Sequence, residues 1–233
     1  MEESKSIAII TARGGSKRIP KKNIKAFCGK PILAYSVEAA LNAGCFDRVM
    51  VSTDSEEIAE IARKYGAEVP FMRSEKTSDD FATTAEVLME VLAEYEKRGE
   101  VFQQMACLYP TAPFMTAEKL RLAMQMLKRR DIVEVQPVVA FSYPPQRGYV
   151  IQGDFMEMKW KENYPKRSQD LEKLYHDAGQ FYCYDVDTFI RAGGVILEGI
   201  SPIVLDELEV QDIDSETDWK LAELKYQMMT EKQ

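Results

Sequence analysis

The chain has 233 residues, of which 45% are hydrophobic and 29% are charged, as in a globular protein with a sizeable core. A formal net charge of -8 and a pI near 5.0 argue against general nucleic-acid binding, because nucleic-acid-binding domains are usually basic. No apolar stretch approaches the ~20 residues of a membrane helix, and the 4 cysteines form no CxxC pair, so we expect a cytoplasmic protein with reduced thiols and no membrane partner.

Short apolar runs alternate with segments of helical periodicity, which predicts an α/β protein whose mostly parallel sheet carries helices on both faces. The predicted strands are Ile7 to Ile10, Arg48 to Ser52, Met105 to Tyr109, Ile132 to Phe141, Gly179 to Tyr184 and Ile203 to Asp214. The predicted helices are Pro31 to Ala43, Ser55 to Tyr65, Thr84 to Lys97, Ala117 to Lys128 and Ser215 to Met228.

This alternation stops between Ser142 and Tyr175, a stretch that contains 3 prolines, many aromatic residues and charges of both signs. We interpret it as an inserted hairpin or small lobe of about residues 142–175. The lobe would lie within a single domain that covers residues 1–233.

The segment from Ser4 to Val37 contains 8 basic residues and no acidic ones. Without those 8, the chain has 22 basic residues against 38 acidic ones, so the segment is a positive island that suggests a bound anion. Arg13 to Lys17 (sequence RGGSK) follows the first predicted strand, where glycine N–H groups and basic side chains can surround a polyphosphate. The spacing matches neither the Walker A loop nor the GxGxxG dinucleotide fingerprint.

Asp212 and Asp214 form a second candidate group near the end of the chain. On a strand, residues two apart project from the same face, so both carboxylates could share one hard cation such as Mg²⁺. The alternative interpretation is a strand that runs into a helix, with Asp214 or Ser215 as the helix cap.

The chain resembles the CMP-sialic acid synthetase family of cytidylyltransferases along nearly its whole length. The resemblance is carried, in order, by ITARGGSKRIPKKNIKAFCGKPILAYSVEAA, FDRVMVSTDSEEIAEIARKYGAEV, Arg73, the segment Tyr109 to Pro113 and VQDIDSETDW. It implies a three-layer, Rossmann-like nucleotidyltransferase fold. It also implies a homodimer, in which the inserted lobe takes part and places residues near the partner's active site.

The resemblance implies roles for individual residues. Arg13 and Lys22 would act on the triphosphate of CTP, while Asp212 and Asp214 would bind Mg²⁺ and complete the catalytic set. From the residues alone, Arg73 could instead form a surface salt bridge with Glu75, and Thr84 could be a helix cap. The implied CTP-binding residues are Gly14, Gly15, Ser16, Asn23, Arg73 and Thr84.

The expected sugar pocket departs from the usual sialic acid pattern. Tyr109 to Pro113 reads YPTAP where sialic acid enzymes typically carry QPTSP, and Tyr175 to Gln180 (YHDAGQ) lacks their arginine. Losing hydrogen-bonding groups from a polar pocket changes its substrate, and these motifs resemble the branch of the family that acts on pseudaminic acid. His176 is the only histidine, and we do not assign it as a general base. The candidate sugar-binding residues are Tyr109, Thr111, Gln146, Arg147, Arg167, Tyr175, His176 and Gln180.

The expected reaction is transfer of CMP from CTP to the anomeric oxygen of a nonulosonic acid, with release of pyrophosphate. Two alternatives stay open at this point. The acceptor could be a related keto acid, namely legionaminic, sialic or deoxyoctulosonic acid, or the protein could be a nucleotide-binding regulator without turnover.

Overall fold

The computed structural model of the chain describes residues 5–231. Its α-helices are α1 (Ile32–Ala43), α2 (Glu56–Lys64), α3 (Thr84–Glu96), α4 (Ala117–Met126), α5 (Val186–Arg191) and α6 (Glu216–Thr230). Its strands are β1 (Ser6–Thr11), β2 (Ala26–Phe27), β3 (Lys30–Pro31), β4 (Arg48–Ser52), β5 (Gln104–Leu108), β6 (Glu134–Ala140), β7 (Tyr149–Gln152), β8 (Phe155–Met158), β9 (Tyr175–Asp177), β10 (Phe181–Asp185) and β11 (Ile200–Leu205).

The main sheet has seven strands in the order β11-β6-β10-β5-β1-β4, with β9 added beside β6. The pairs β11/β6, β5/β1 and β1/β4 are parallel, whereas β10 and β9 run antiparallel to their neighbours. The predicted fold class, an α/β protein with a mostly parallel sheet, is therefore confirmed. The carboxyl ends of β1, β4 and β5 meet at one edge, where α/β proteins usually bind ligands.

Helices cover both faces of the sheet, because successive side chains of a strand point to opposite sides. Ala8 and Ile10 of β1 join the core cluster that includes residues of α1, α2 and α4. Ile7 and Ile9 join the opposite cluster, with residues of α3 and α5. All four side chains are fully buried, which is why the sequence of β1 is a continuous apolar run.

A third apolar cluster joins the two ends of the chain. Phe27 on the small β2-β3 hairpin packs edge-on against Trp219 of α6, with ring centroids 5.6 Å apart. Ile213, just before α6, is buried in the same cluster. This packing brings the segment with Asp212 and Asp214 against the basic N-terminal segment.

The predicted late strand from Ile203 to Asp214 is wrong in its second half. Strand β11 pairs with β6 only as far as Leu205. Asp206 then caps a short 3-10 turn, Glu207–Glu209, and its side chain accepts a hydrogen bond from the backbone N–H of Leu208. The cap ends the strand, so Asp212 and Asp214 lie on a connecting segment before α6.

The predicted helices occur with ends that differ by one or two residues, and α5 was missed because it is short. The cap of α3 is Thr83, not Thr84, and forms a capping box with Glu86. Ser215 caps α6 in the same way, together with Asp218. Thr116 caps α4, since hydroxyl side chains satisfy the free N–H groups of a first helical turn.

Within residues 142–175, strands β7 and β8 form an antiparallel hairpin with its own two-stranded sheet. Several of its apolar side chains are exposed, including Ile151 at 77% and Phe155 at 81% of their surface. Across residues 5–231, no helix is both long and apolar enough to cross a lipid bilayer.

Candidate active site

The loop after β1 is held in place by two polar side chains. The backbone N–H of Gly14 donates to Oδ1 of Asp54 at 2.7 Å, and Nδ2 of Asn23 donates to the carbonyl of Arg13 at 2.8 Å. Gly14 approaches α2 so closely that a Cβ at this position would lie 3.1 Å from the Cβ of Ser55. The loop is therefore a fixed structure whose conformation depends on the end of β4 as well as on its own glycines.

This loop forms one wall of a cavity of about 400 Å³ that we call the cationic cavity. Four basic side chains face it, together with backbone and hydroxyl groups that can donate hydrogen bonds to phosphate oxygens. Its lining residues are Thr11, Arg13, Gly15, Ser16, Lys17, Arg18, Lys22, Asn23, Asp80, Tyr109, Pro110 and Thr111.

The cations of the positive island lie beside acidic side chains of the same chain. Carboxylates already pair with seven of its eight basic residues within residues 5–231, and most of these carboxylates come from distant parts of the chain. Such exposed pairs contribute little to stability, so the phosphates of a nucleotide can replace the carboxylates at low cost. The pairs are Arg13 and Lys17 with Asp80, Arg18 and Lys22 with Asp214, Lys21 with Glu57, Lys25 with Glu216, and Lys30 with Glu38.

Asp214 meets the basic segment directly. Its carboxylate lies 2.8 Å from the guanidinium of Arg18 and 3.6 Å from Nζ of Lys22. Nζ of Lys22 also donates to the backbone carbonyl of Ile213 at 2.7 Å. Asp212 is on the other side of the buried Ile213 and faces a different cavity.

The two aspartates provide oxygen ligands of the kind that Mg²⁺ prefers. No group of three or more His, Cys, Asp or Glu side chains suited to a metal occurs in the described part of the chain. Mg²⁺ usually takes only one or two carboxylates and completes its shell with water and substrate phosphates. Asp214, beside the cations of the loop, therefore fits a magnesium ion that arrives with a nucleotide. Asp212 faces a different cavity, so the two carboxylates do not share one face as a strand would have placed them.

A neighbouring cavity of about 650 Å³ adjoins the cationic cavity. The two share Tyr109 and Thr111, which stand between them. Of the predicted sugar-binding residues, the neighbouring cavity brings together Tyr109, Thr111 and His176. Its other lining residues are Val139, Ala140, Ser142, Asp177, Ala178, Gly179, Tyr182, Glu207, Val210, Gln211, Asp212, Ile213 and Lys225.

Tyr175 and Gln180 flank this cavity but do not line it. Tyr175 is at the start of β9, beside Ala140 of β6. The side chain of Gln180 is buried, and its amide donates to the backbone carbonyl of Glu209. The backbone carbonyl of Gln180 accepts a hydrogen bond from the backbone N–H of Tyr109 at 2.9 Å. Gln180 therefore supports Tyr109, which lines the cavity, without lining the cavity itself.

Gln146, Arg147 and Arg167 lie in the inserted lobe and do not line either cavity of their own chain. The amide of Gln146 donates to the carbonyl of Glu172 at 2.8 Å. Arg147 contacts the carbonyl of Lys166 at 3.3 Å, while Arg167 is exposed and pairs with Asp170. The structure thus separates these three from Tyr109, Thr111 and His176.

Arg73 and Thr84 are also outside the two cavities. Arg73 is buried, and its guanidinium donates to the hydroxyl and the carbonyl of Ser52 at 3.0 and 2.6 Å. The surface salt bridge with Glu75 is thus the wrong alternative, and burial lowers the pKa of Arg73. The side chain of Thr84 contacts the hydroxyl of Tyr109. Burial raises the pKa of Tyr109, and the contact with Thr84 lowers it by a smaller amount.

Three acidic residues of the site were missed at the sequence level. Asp54 follows β4 and fixes the loop, Asp80 pairs with two of the loop's cations, and Asp177 lines the neighbouring cavity. Asp54 could have been found, because it follows the carboxyl end of a predicted parallel strand. Asp80 and Asp177 carried no such signal.

Comparison with known proteins agrees with this geometry. The family described as cytidylyltransferase matches residues 7–184. A pseudaminic acid cytidylyltransferase of Campylobacter jejuni subsp. jejuni serotype O:2 is 39% identical, over 96% of this chain and 97% of its own. A CMP-N,N'-diacetyllegionaminic acid synthase of Legionella pneumophila is 33% identical, over 93% of this chain and 94% of its own.

Among solved structures, a CMP:2-keto-3-deoxy-manno-octonic acid synthetase complexed with CTP shares the fold. It superposes with a TM-score of 0.69 and 17% identity, covering 98% of this chain and 100% of that one. The predicted Rossmann-like nucleotidyltransferase fold and the predicted family are both confirmed. The chain belongs to the cytidylyltransferase family of enzymes.

Proposed function

We propose that this enzyme transfers CMP from CTP to the anomeric oxygen of a nonulosonic acid, with pseudaminic acid as the favoured acceptor. The observation that carries the proposal is the pair of adjoining cavities. One offers cations and loop N–H groups suited to a triphosphate, and the other is of a size suited to a nine-carbon sugar. Tyr109 and Thr111 form the boundary at which the two substrates would meet.

In this reaction the anomeric oxygen attacks the α-phosphorus of CTP. A new P–O bond forms, the bond between the α-phosphorus and the bridging oxygen of the β-phosphate breaks, and pyrophosphate leaves with that electron pair. The proton of the anomeric hydroxyl goes to solvent. Catalysis of this kind depends on positioning and on electrostatic stabilisation more than on covalent chemistry.

Arg13 and Lys22 would supply much of that stabilisation. Lys22 is the better placed for the α-phosphate, because its ammonium is held at the junction of the loop and the Asp212 to Asp214 segment. Asp212 and Asp214 would hold Mg²⁺, which neutralises charge on the triphosphate and on the leaving pyrophosphate. Gly14, Gly15, Ser16 and Asn23 form or support the loop on which the phosphates would rest.

Two observations support pseudaminic acid over other acceptors. The YPTAP and YHDAGQ motifs depart from the sialic acid pattern in the residues that line or flank the neighbouring cavity. Relatives named as pseudaminic acid cytidylyltransferases are 39% and 38% identical to this chain, compared with 29% for an N-acylneuraminate cytidylyltransferase of Escherichia coli.

We also propose a homodimer that acts in the cytoplasm, where CTP is available. Gln146, Arg147 and Arg167 do not line the cavities of their own chain, yet they lie on a lobe with exposed apolar side chains. A second copy that covers the lobe would bury these side chains. Residues of the lobe would then approach the neighbouring cavity of the other subunit, which accounts for their predicted role in sugar binding.

The test is pyrophosphate release from CTP and Mg²⁺ with a panel of acceptors: pseudaminic, legionaminic, sialic and deoxyoctulosonic acids. We expect the highest kcat/KM with pseudaminic acid. A higher value with another member of the panel would replace the acceptor but keep the reaction. Binding of CTP without pyrophosphate release for any acceptor would support the nucleotide-binding regulator instead.

A further inference from the structure

Asp177 occupies the wall of the neighbouring cavity with a fixed orientation. It is the last residue of β9, and its side chain is exposed to the cavity. Oδ2 accepts the hydroxyl of Tyr182 at 2.6 Å, and Oδ1 accepts the backbone N–H of Gly179 at 2.7 Å. A carboxylate has about four acceptor positions, so roughly half of its capacity stays free toward the cavity.

The partners of Asp177 are neutral, which distinguishes it from the acidic residues of the cationic cavity. Asp80 and Asp214 are paired with arginine and lysine. Within residues 5–231, Asp177 is held by a hydroxyl and a backbone N–H, and so keeps its charge uncompensated. Burial and the bond to Asp177 raise the pKa of Tyr182, so this hydroxyl remains a hydrogen-bond donor.

Tyr182 connects Asp177 to the boundary between the cavities. Its ring packs edge-on against Tyr109, with centroids 5.6 Å apart, and Tyr109 lines both cavities. The carboxylate is therefore positioned by a rigid aromatic pair. A group held in this manner can discriminate between ligands that differ in a single hydrogen bond.

The charges of the neighbouring cavity indicate what Asp177 faces. Glu207 and Asp212 also line it, while the ammonium of Lys225 is occupied by the carbonyls of Glu207 and Val210 at 3.0 and 2.7 Å. The carboxylate of a nonulosonic acid is bonded to the anomeric carbon, so it stays close to the phosphates and their cations. The remainder of the sugar extends along an acidic wall, which repels anions and attracts N–H and O–H donors.

We propose that Asp177 is a specificity-determining residue that accepts a hydrogen bond from an amide N–H of the acceptor sugar. The inference rests on the proposed function and deepens it, because it names the residue that would distinguish an acylamino acceptor from one without an amide. The name of one relative's product, CMP-N,N'-diacetyllegionaminic acid, includes two such amides. A charged acceptor makes a stronger hydrogen bond than a neutral one, so removal of the N–H donor should have a large effect.

The experiment compares the natural acylamino acceptor with an analogue in which one acetamido group is replaced by an O-acetyl ester. The ester keeps the size and the carbonyl but has no N–H. Each acetamido group is replaced in turn, and kcat/KM is measured at saturating CTP. For at least one position, the wild-type enzyme should prefer the amide by about tenfold or more.

Asp177→Asn keeps the side-chain shape and should reduce that preference to within about twofold, with an unchanged KM for CTP. Tyr182→Phe removes a bond that orients the carboxylate and should reduce the preference partly. Glu207→Gln is the matched control, because it removes a different carboxylate from the same cavity and should retain the amide preference.

A wild-type preference that survives unchanged in Asp177→Asn, or in Tyr182→Phe if Asp177→Asn does not fold, would overturn the inference while leaving the proposed function intact. Equal use of amides and esters by the wild-type enzyme would do the same. If the wild-type enzyme released no pyrophosphate with any nonulosonic acid, the proposed function itself would fail. Tyr182→Phe keeps the test decisive if Asp177→Asn does not fold.

Discussion

The cationic cavity and the neighbouring cavity hold their charges in different ways. In the first, carboxylates pair with arginine and lysine, and the loop is fixed by Asp54 and Asn23. In the second, Asp177 is held by neutral donors, and no cation compensates it within the described residues. The difference indicates that one cavity selects its ligand by charge and the other by individual hydrogen bonds.

The largest expected effect is on the acidic side of the cationic cavity. Asp214→Asn should lower turnover on the order of 10³-fold at fixed Mg²⁺, because it removes a metal ligand and a partner of Lys22. Pyrophosphate release measures this, and urea unfolding measures stability. Asp187→Asn, an exposed aspartate on α5, is the control and should keep full activity. Equal losses of stability and turnover in Asp214→Asn would make Asp214 a structural residue and remove the contrast.

Lys22→Ala should lower kcat about 10²-fold while changing CTP affinity much less, because its ammonium acts on charge that develops during the reaction. Lys21→Ala is the matched control, since Lys21 pairs with Glu57 and does not line the cavity. Steady-state kinetics and CTP titration separate the two parameters. An unchanged kcat in Lys22→Ala would exclude it from the catalytic set.

A buried carboxylate near Asp177 should make stability depend on pH. Burial, followed by repulsion from Asp177, raises the pKa of Glu134 to about 7. The folded state therefore binds this proton more tightly than the unfolded state does. The contribution of Glu134 to the free energy of unfolding is most favourable at low pH and is lost as pH rises from the ordinary carboxyl pKa of 4.5 through about 7. The loss should be roughly 2 to 3 kcal/mol.

Urea unfolding between pH 4.5 and 8 measures this dependence. Glu134→Gln should flatten it, whereas Glu60→Gln, at an exposed site on α2, should not. An identical pH dependence in Glu134→Gln and the wild-type protein would show that burial does not raise the pKa of Glu134 in the folded protein.

The smallest expected effect concerns the rigidity of the loop. Gly14→Ala places a Cβ 3.1 Å from that of Ser55 and should lower the free energy of unfolding by about 1 to 2 kcal/mol. Gly15→Ala meets no atom within 4 Å and should change it by less than about 0.5 kcal/mol. Equal effects in the two variants would mean that the loop adapts freely.

Local features of the site were predictable where the signal lies within a few residues. The apolar run of β1, the strand Arg48–Ser52 and the caps Thr116 and Ser215 depend on neighbouring side chains and backbone groups. The extension of the late strand to Asp214 failed because the cap at Asp206 competes with strand pairing. Thr84 is the first residue of α3 and not its cap, because the neighbouring Thr83 forms the capping box with Glu86.

The fold class, the basic loop after β1 and the family can be inferred from the amino-acid sequence alone, because periodicity and motifs are local patterns that can be recognised without knowing any contact. Which charges meet depends on packing in three dimensions. Arg18 and Asp214 are 196 residues apart in the chain, and the buried cluster of Phe27, Ile213 and Trp219 brings them together. The separation of the two cavities also depends on the order of the strands in the sheet and on the direction of the side chains. Both are set by long-range packing and cannot be read from any short segment of the sequence.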